Sequence, residues 1–101
     1  MNVSPNKYKI ALVGYMLSNG GAERVLSTLS QYLHNNHHDV HTIIMIDEVT
    51  YSYGGELFNV GALRNKSNNF LNKIRRFYKF KKYIENNEFD ILIDFRFRVV
   101  Y

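Results

Sequence analysis

Gly20 and Gly21, with Ala22 and Glu23 behind them, are the residues of this chain whose types and spacing could do chemistry. They follow a continuous apolar run at 10–13 and precede Ala22, Val25, Leu26, Leu29 and Leu33, which recur at helical spacing with Tyr32 beside them. A strand that feeds a helix through glycines leaves the first helical amides without intrahelical acceptors. Such a terminus favours anions, phosphate above all. Glycines there also admit close approach to the backbone. The same pair would serve equally if it only made the turn and let the helix pack on the strand, and the residues alone leave both readings open.

Three other groups are candidates. Asp47 closes a β-branched run and stands where a dinucleotide domain places its ribose-binding acid, but the segment 14–21 lacks GxGxxG spacing, so a solvated acid at a strand end is the competing reading. Arg96 and Arg98 follow an apolar run at 91–93 and, alternating in an extended segment, would point the same way, fit to clamp phosphate or carboxylate. His34, His37, His38 and His41 cluster in sequence, yet His37 and His38 are adjacent and project apart in a turn away from the expected ligand end; no metal role is assigned to them.

The elements that must position these groups alternate. A first strand is expected over 8–15, a loop over 17–21, a helix over 22–35 stopped by Asn35 and Asn36 in the left-handed conformation, and a second strand over 40–46. A polar loop over 50–55 leads to a short third strand over 56–60. A connection over 62–69, with Ser67 and asparagines as caps, precedes a second helix over 70–87 and a fourth strand over 90–95. In that second helix Phe70, Leu71, Ile74, Phe77, Tyr78 and Ile84 form the expected core face, with Arg75, Arg76, Lys79 and Lys82 opposite and Phe80 and Tyr83 off the buried stripe. Such alternation predicts an α/β fold, a half-Rossmann parallel sheet of about four strands in the order 3-2-1-4 with flanking helices.

Length and composition narrow the classes. The chain has 101 residues, one small domain, and no cysteine, which excludes disulfide scaffolds, thiolate metal sites and cysteine nucleophiles. Residues 1–7 read as a disordered leader and 8–101 as the folded part. Lys7 and Lys9 before the apolar run mimic a signal peptide, but the run breaks at Gly14 and passes straight into a helical pattern, as a buried strand does. The net charge of +4 is unevenly placed: Arg64, Lys66, Lys73, Arg75, Arg76, Lys79, Lys81 and Lys82 lie in a stretch without acids. An anionic partner is therefore expected: a membrane surface met by Arg75, Arg76, Lys79 and Lys82, or otherwise a solvated helix face. The aromatics are better used in the core than as base-stacking platforms, so nucleic acid is not expected.

The segments 9–13 and Asn19-Gly20-Gly21-Ala22-Glu23-Arg24-Val25 together resemble the opening of family-four glycosyltransferases of GT-B architecture. His38-Asp39-Val40 is similar to that family's entry into its second strand, and Asp90-Ile91-Leu92-Ile93-Asp94-Phe95 to its fourth strand. His37 departs from the family's glycine and Phe89 from its proline. The resemblance implies the N-terminal, acceptor-side part of a retaining enzyme. That enzyme would move a sugar from a nucleotide-sugar donor to a glycan or lipid-linked acceptor in surface polysaccharide synthesis. It would be cytoplasmic and peripheral at the inner face of the membrane. The implied fold is a truncated GT-B N-terminal domain, its C-terminal nucleotide-sugar domain lying outside this sequence and the fragment alone inactive. Gly20, Gly21, Ala22 and Glu23 would meet the donor phosphates, with Arg24, Arg96 and Arg98 toward the acceptor. No metal or other cofactor is implied, and the catalytic residues are not among those named. A sheet without later helices would expose apolar faces and edges, so self-association is expected. The alternative is a non-catalytic basic α/β module that binds anionic membrane or a protein partner through its second helix.

Overall fold

A computed structural model of the chain describes residues 7–18, 20–63 and 70–96. Four strands, β1 (Lys9–Gly14), β2 (Asp39–Ile44), β3 (Glu56–Asn59) and β4 (Ile91–Asp94), form one all-parallel sheet in the order β3-β2-β1-β4. Helix α1 (Gly21–Asn35) links β1 to β2, and α2 (Phe70–Asn87) precedes β4. A short 3-10 turn, Val60–Leu63, follows β3. This is the expected α/β fold, with strand ends shifted by a residue or two.

Period-two alternation along the central strand divides the core. Ile10 and Leu12 face α1, where they join Val40, Ile44, Leu17 and Leu26 with Leu29 and Leu33 packed against them. Ala11 and Val13 face the other way with Ile43 and Val60, against Phe58, Phe80, Tyr83, Ile84 and Phe89. The helices therefore cover opposite faces, as right-handed crossovers require. Leu26 is wholly buried, and burial of such a side chain is worth roughly 1.5–3 kcal/mol.

Helix α1 turns only part of its expected face inward. Ala22, Val25 and Tyr32 are exposed, while Ser27 and Ser30 are buried. The serines serve the loop after β2: Ser27 Oγ donates to the Ser52 carbonyl, and Ser30 Oγ accepts from the Gly54 amide at 3.0 Å. That loop lies so close that a Cβ on Gly54 would stand 2.5 Å from the Ser30 carbonyl oxygen. The glycine is there for contact.

The α1 stop is a Schellman motif, with His38 N–H donating to Leu33 O and His37 N–H to His34 O. The left-handed residue is His37 (φ 70), whereas Asn36 takes φ −91, which corrects the expectation for the asparagines.

The face of α2 needs the larger correction. Phe70, Leu71, Ile74, Phe77 and Tyr78, expected in the core, are exposed, whereas Phe80 and Tyr83, expected off the stripe, pack on the sheet with Ile84. Apolar residues line two sides of this helix. The first half directs its stripe outward and the second half inward, because the sheet offers Phe58 and Phe89 as partners for Tyr83 at 4.2 Å and 6.1 Å between ring centroids. At the edge of the sheet, β4 leaves Ile91, Leu92 and Ile93 37–47% exposed, the apolar edge that self-association would use.

Candidate functional site

The loop after β1 rises at the carboxyl rim of the sheet, beside the switch in strand order between β1 and β4. Its path is pinned by the loop after β2: Leu17 N–H donates to Glu48 O at 2.9 Å, and the Thr50 and Tyr51 amides donate to Leu17 O at 2.9 Å and 2.8 Å. Phe95 N–H donates to Val13 O at 2.7 Å, so the end of β4 lies on the same rim.

The first helical bond of α1 runs from Arg24 N–H to Gly20 O at 3.0 Å, and among the described residues no side chain caps the turn. The Gly21, Ala22 and Glu23 amides thus have no intrahelical acceptor. The two glycines differ. Beyond Gly21 there is open space, whereas a Cβ on Gly20 would collide with the Glu23 carboxylate, which folds back over it. Glu23 already places a negative charge at the positive helix end, so an incoming anion has to displace it. The backbone at Gly20 is extended (φ −156, ψ 163) and unstrained. From Gly21 an apolar groove of about 420 Å³ runs down α1 past Arg24, Val25, Thr28, Leu29 and Tyr32. The Arg24 guanidinium lies over the Tyr51 ring at 4.9 Å, which holds it beside the entrance.

Arg96 shares the rim but not the face. Its Nε stands 3.0 Å from Asp94 Oδ1 and its terminal nitrogen 2.9 Å from Asp94 Oδ2, a two-pronged pair, and its guanidinium lies 5.3 Å from the Phe80 ring centre. Hydrogen bonding to Arg96 holds the Asp94 carboxyl below its ordinary range, and the same bond raises the Arg96 guanidinium further. The charge of Arg96 is matched within the chain, on the α2 side of the sheet, and the structure does not bring it to Gly21. Arg98 lies outside the described residues, as do Asn19, Arg64, Lys66 and Ser67.

Asp47 accepts a 2.8 Å bond from Asn59 Nδ2, and Asn59 Oδ1 accepts from the Ala62 amide at 3.0 Å, so the acid ties the loop after β2 to the end of β3 and the turn that follows. Arg75, Lys79 and Lys82 are exposed on α2. Arg76 is half-buried and turns back toward the end of β2, lining a cavity with Met45, Asp47, Glu48 and Gly61. The histidines disperse: His34 and His37 are exposed, His38 stacks on Tyr8, and His41 is buried.

His41 is the residue whose role was not read from sequence. Its Nδ1 lies 2.6 Å from the Tyr83 hydroxyl and 3.7 Å from Glu56, while Nε2 is 3.0 Å from Asp39 Oδ1 without hydrogen-bond alignment. Burial first, then the Glu56 and Asp39 charges, push the Tyr83 hydroxyl upward. The available signal was parity: His41 shares the strand face of Ile43 and so points at α2.

Among the described residues no cluster of His, Asp or Glu is arranged to hold a metal ion, and no helix is long and apolar enough to cross a membrane. Comparison with family models, curated proteins and solved structures found no match.

Proposed function

We propose that this chain is the acceptor-side α/β unit of a retaining glycosyltransferase, and that the N-terminal turn of α1 receives the diphosphate of a nucleotide sugar. One observation carries the reading: uncapped amides open at the carboxyl rim of a parallel sheet, at its switch point, with free space beyond Gly21. It is supported by the residue resemblance over Gly20–Val25 and by the apolar groove leading away from Gly21, which offers the lipid of a lipid-linked acceptor a path. The chemistry is electrostatic, the amides stabilising negative charge on the departing nucleoside diphosphate. The acceptor is a glycan or a lipid-linked glycan of a surface polysaccharide.

The test is amide NMR of the 101-residue chain titrated with a uridine or guanosine diphosphate sugar. Shifts confined to residues 20–24, abolished by Gly21→Val and strengthened by Glu23→Gln, support the reading. An unmoved turn at millimolar ligand, or shifts centred elsewhere, would overturn it.

A further inference from the structure

We propose that two copies of this chain join through β4, edge to edge and antiparallel, about a two-fold axis normal to the sheet. All four residues of β4 are exposed, and Ile91, Leu92 and Ile93 make three of them apolar. The strand borders the sheet, so its outer backbone groups meet no further strand among the described residues. It also lacks the lysine, proline or bulge that ordinarily keeps such an edge single. The opposite edge differs: in β3 only Glu56 is exposed, and Leu57 and Phe58 are packed into the two cores. The outward stripe of α2 is the competing apolar surface, but Lys73, Arg75, Lys79 and Lys82 accompany it. A second copy of that helix would answer them with one acid, Glu85, which is already paired to Lys81 at 3.9 Å.

Strand parity and charge set the register. Ile91 and Ile93 pair with Ile10 and Leu12 on the α1 side, where Phe95 joins the core. Leu92 and Asp94 pair with Ala11 and Val13 on the α2 side and line a cavity with Arg96. Residues directly opposite in an antiparallel pair share a face, so an axis normal to the sheet falls on a residue. An axis on Leu92 would set Asp90 of one copy against Asp94 of the other, like charge against like. An axis on Ile93 brings Asp90 toward Arg96 of the other copy, seats Ile93 on its own mate and turns Ile91 toward Phe95. Asp90 accepts from the Lys9 amide at 2.8 Å and, among the described residues, has no cation paired to it. The fork to Asp94 uses Nε and one terminal nitrogen of Arg96, so the other terminal nitrogen can meet a second carboxylate. The two-fold closes the assembly at two copies, with the 4-stranded sheet of one continued by that of the other. Because the joined strands run in opposite directions, the carboxyl rims lie at opposite ends and the space beyond each Gly21 stays open. The proposal stands without the sugar-transfer reading, and its test uses no sugar.

The experiment is analytical ultracentrifugation of the 101-residue chain over a range of concentrations, joined to cross-linking. A monomer–dimer equilibrium with nothing larger is expected. Ile93→Lys, which sets two ammonium groups together on the axis, should weaken it by roughly tenfold or more. The chain has no cysteine, so single thiols report the register. Ile93→Cys should give a disulfide-linked dimer under diamide, since opposed Cα atoms of antiparallel strands stand about 4.5–5.5 Å apart, within disulfide reach. Leu92→Cys, off the axis, should not. Asp90→Lys and Arg96→Glu should each weaken the dimer roughly fivefold. Their equimolar mixture should restore it, because opposite charges then face each other at both ends of the mixed pair. Ile93, Leu92 and Asp90 are exposed and Arg96 half-buried, so circular dichroism should show the fold unchanged. The proposal is overturned if the chain stays monomeric at every concentration or assembles past two copies, if Leu92→Cys cross-links in place of Ile93→Cys, or if the mixture restores nothing. Should Ile93→Lys fail to fold, the mixture and the cross-link decide. A dimer that Ile93→Lys leaves intact and that Leu71→Gln with Phe77→Gln dissolves would overturn it in favour of the α2 stripe.

Discussion

His41 on β2 and Tyr83 on α2 meet with imidazole Nδ1 and phenolic oxygen 2.6 Å apart, and this contact joins the second half of α2 to the sheet. Around it Phe58 stacks on Tyr83 and Phe89 stands edge-on to His41. Replacing Tyr83 by Phe keeps the ring and removes the hydroxyl, leaving a buried ring nitrogen without that partner. The expected cost is about 1–3 kcal/mol in urea unfolding, with an unchanged m-value.

The same hydroxyl gives the fold an alkaline limit. Its ionisation is pushed above the ordinary tyrosine value by burial, then by Glu56 and Asp39. The folded state thus favours the neutral phenol. The contribution is complete below about pH 10 and is lost as pH rises through the folded value. Urea stability measured from neutral to strongly alkaline pH should decline in that window, and Tyr83→Phe should flatten the decline.

Acid acts on the same face of the sheet, at its β4 edge. Asp94 is held below its ordinary range by Arg96, so its contribution is complete above that range and disappears as pH falls through the folded value. The pair is partly exposed, and the effect is small and salt-sensitive. Asp94→Asn should remove it, and the difference between parent and variant melting temperatures should vanish in acid.

His37 takes a left-handed conformation that suits glycine. His37→Gly relieves the contact of its Cβ with the backbone and should stabilise the chain by about 1 kcal/mol. Thermal or urea unfolding measures this directly.

Glycines at two positions should answer differently to alanine. Gly54→Ala sets a methyl against the Ser30 carbonyl and the Gln31 backbone and should cost about 1–3 kcal/mol. Gly21→Ala meets open space inside the first helical turn and should be neutral or stabilising, by up to about 1 kcal/mol. Equal losses at both would mean that the turn before α1 is packed.

The strands, both helices and the order 3-2-1-4 were legible in the chain itself. Parallel strands carry continuous apolar runs such as 10–13, buried, and 91–93, left exposed at the edge, and crossover handedness leaves few ways to arrange them. The glycine turn was legible for the same local reason, since a helix that begins at Gly21 must open its amides wherever its strand ends. The facing of α2 was not. Apolar residues occupy two of its sides, and periodicity favours the longer stripe, Phe70, Leu71, Ile74, Phe77 and Tyr78, which the structure leaves outside. Only the shape of the sheet chose, by offering His41, Phe58 and Phe89 to Tyr83 and leaving Phe70, Leu71 and Phe77 outside. Likewise, sequence put Arg96 on the rim of Gly21, but strand parity and the fork to Asp94 turned it to the opposite face. Local order is written in neighbouring residues, whereas the choice of partner depends on surfaces that exist only once distant segments have met.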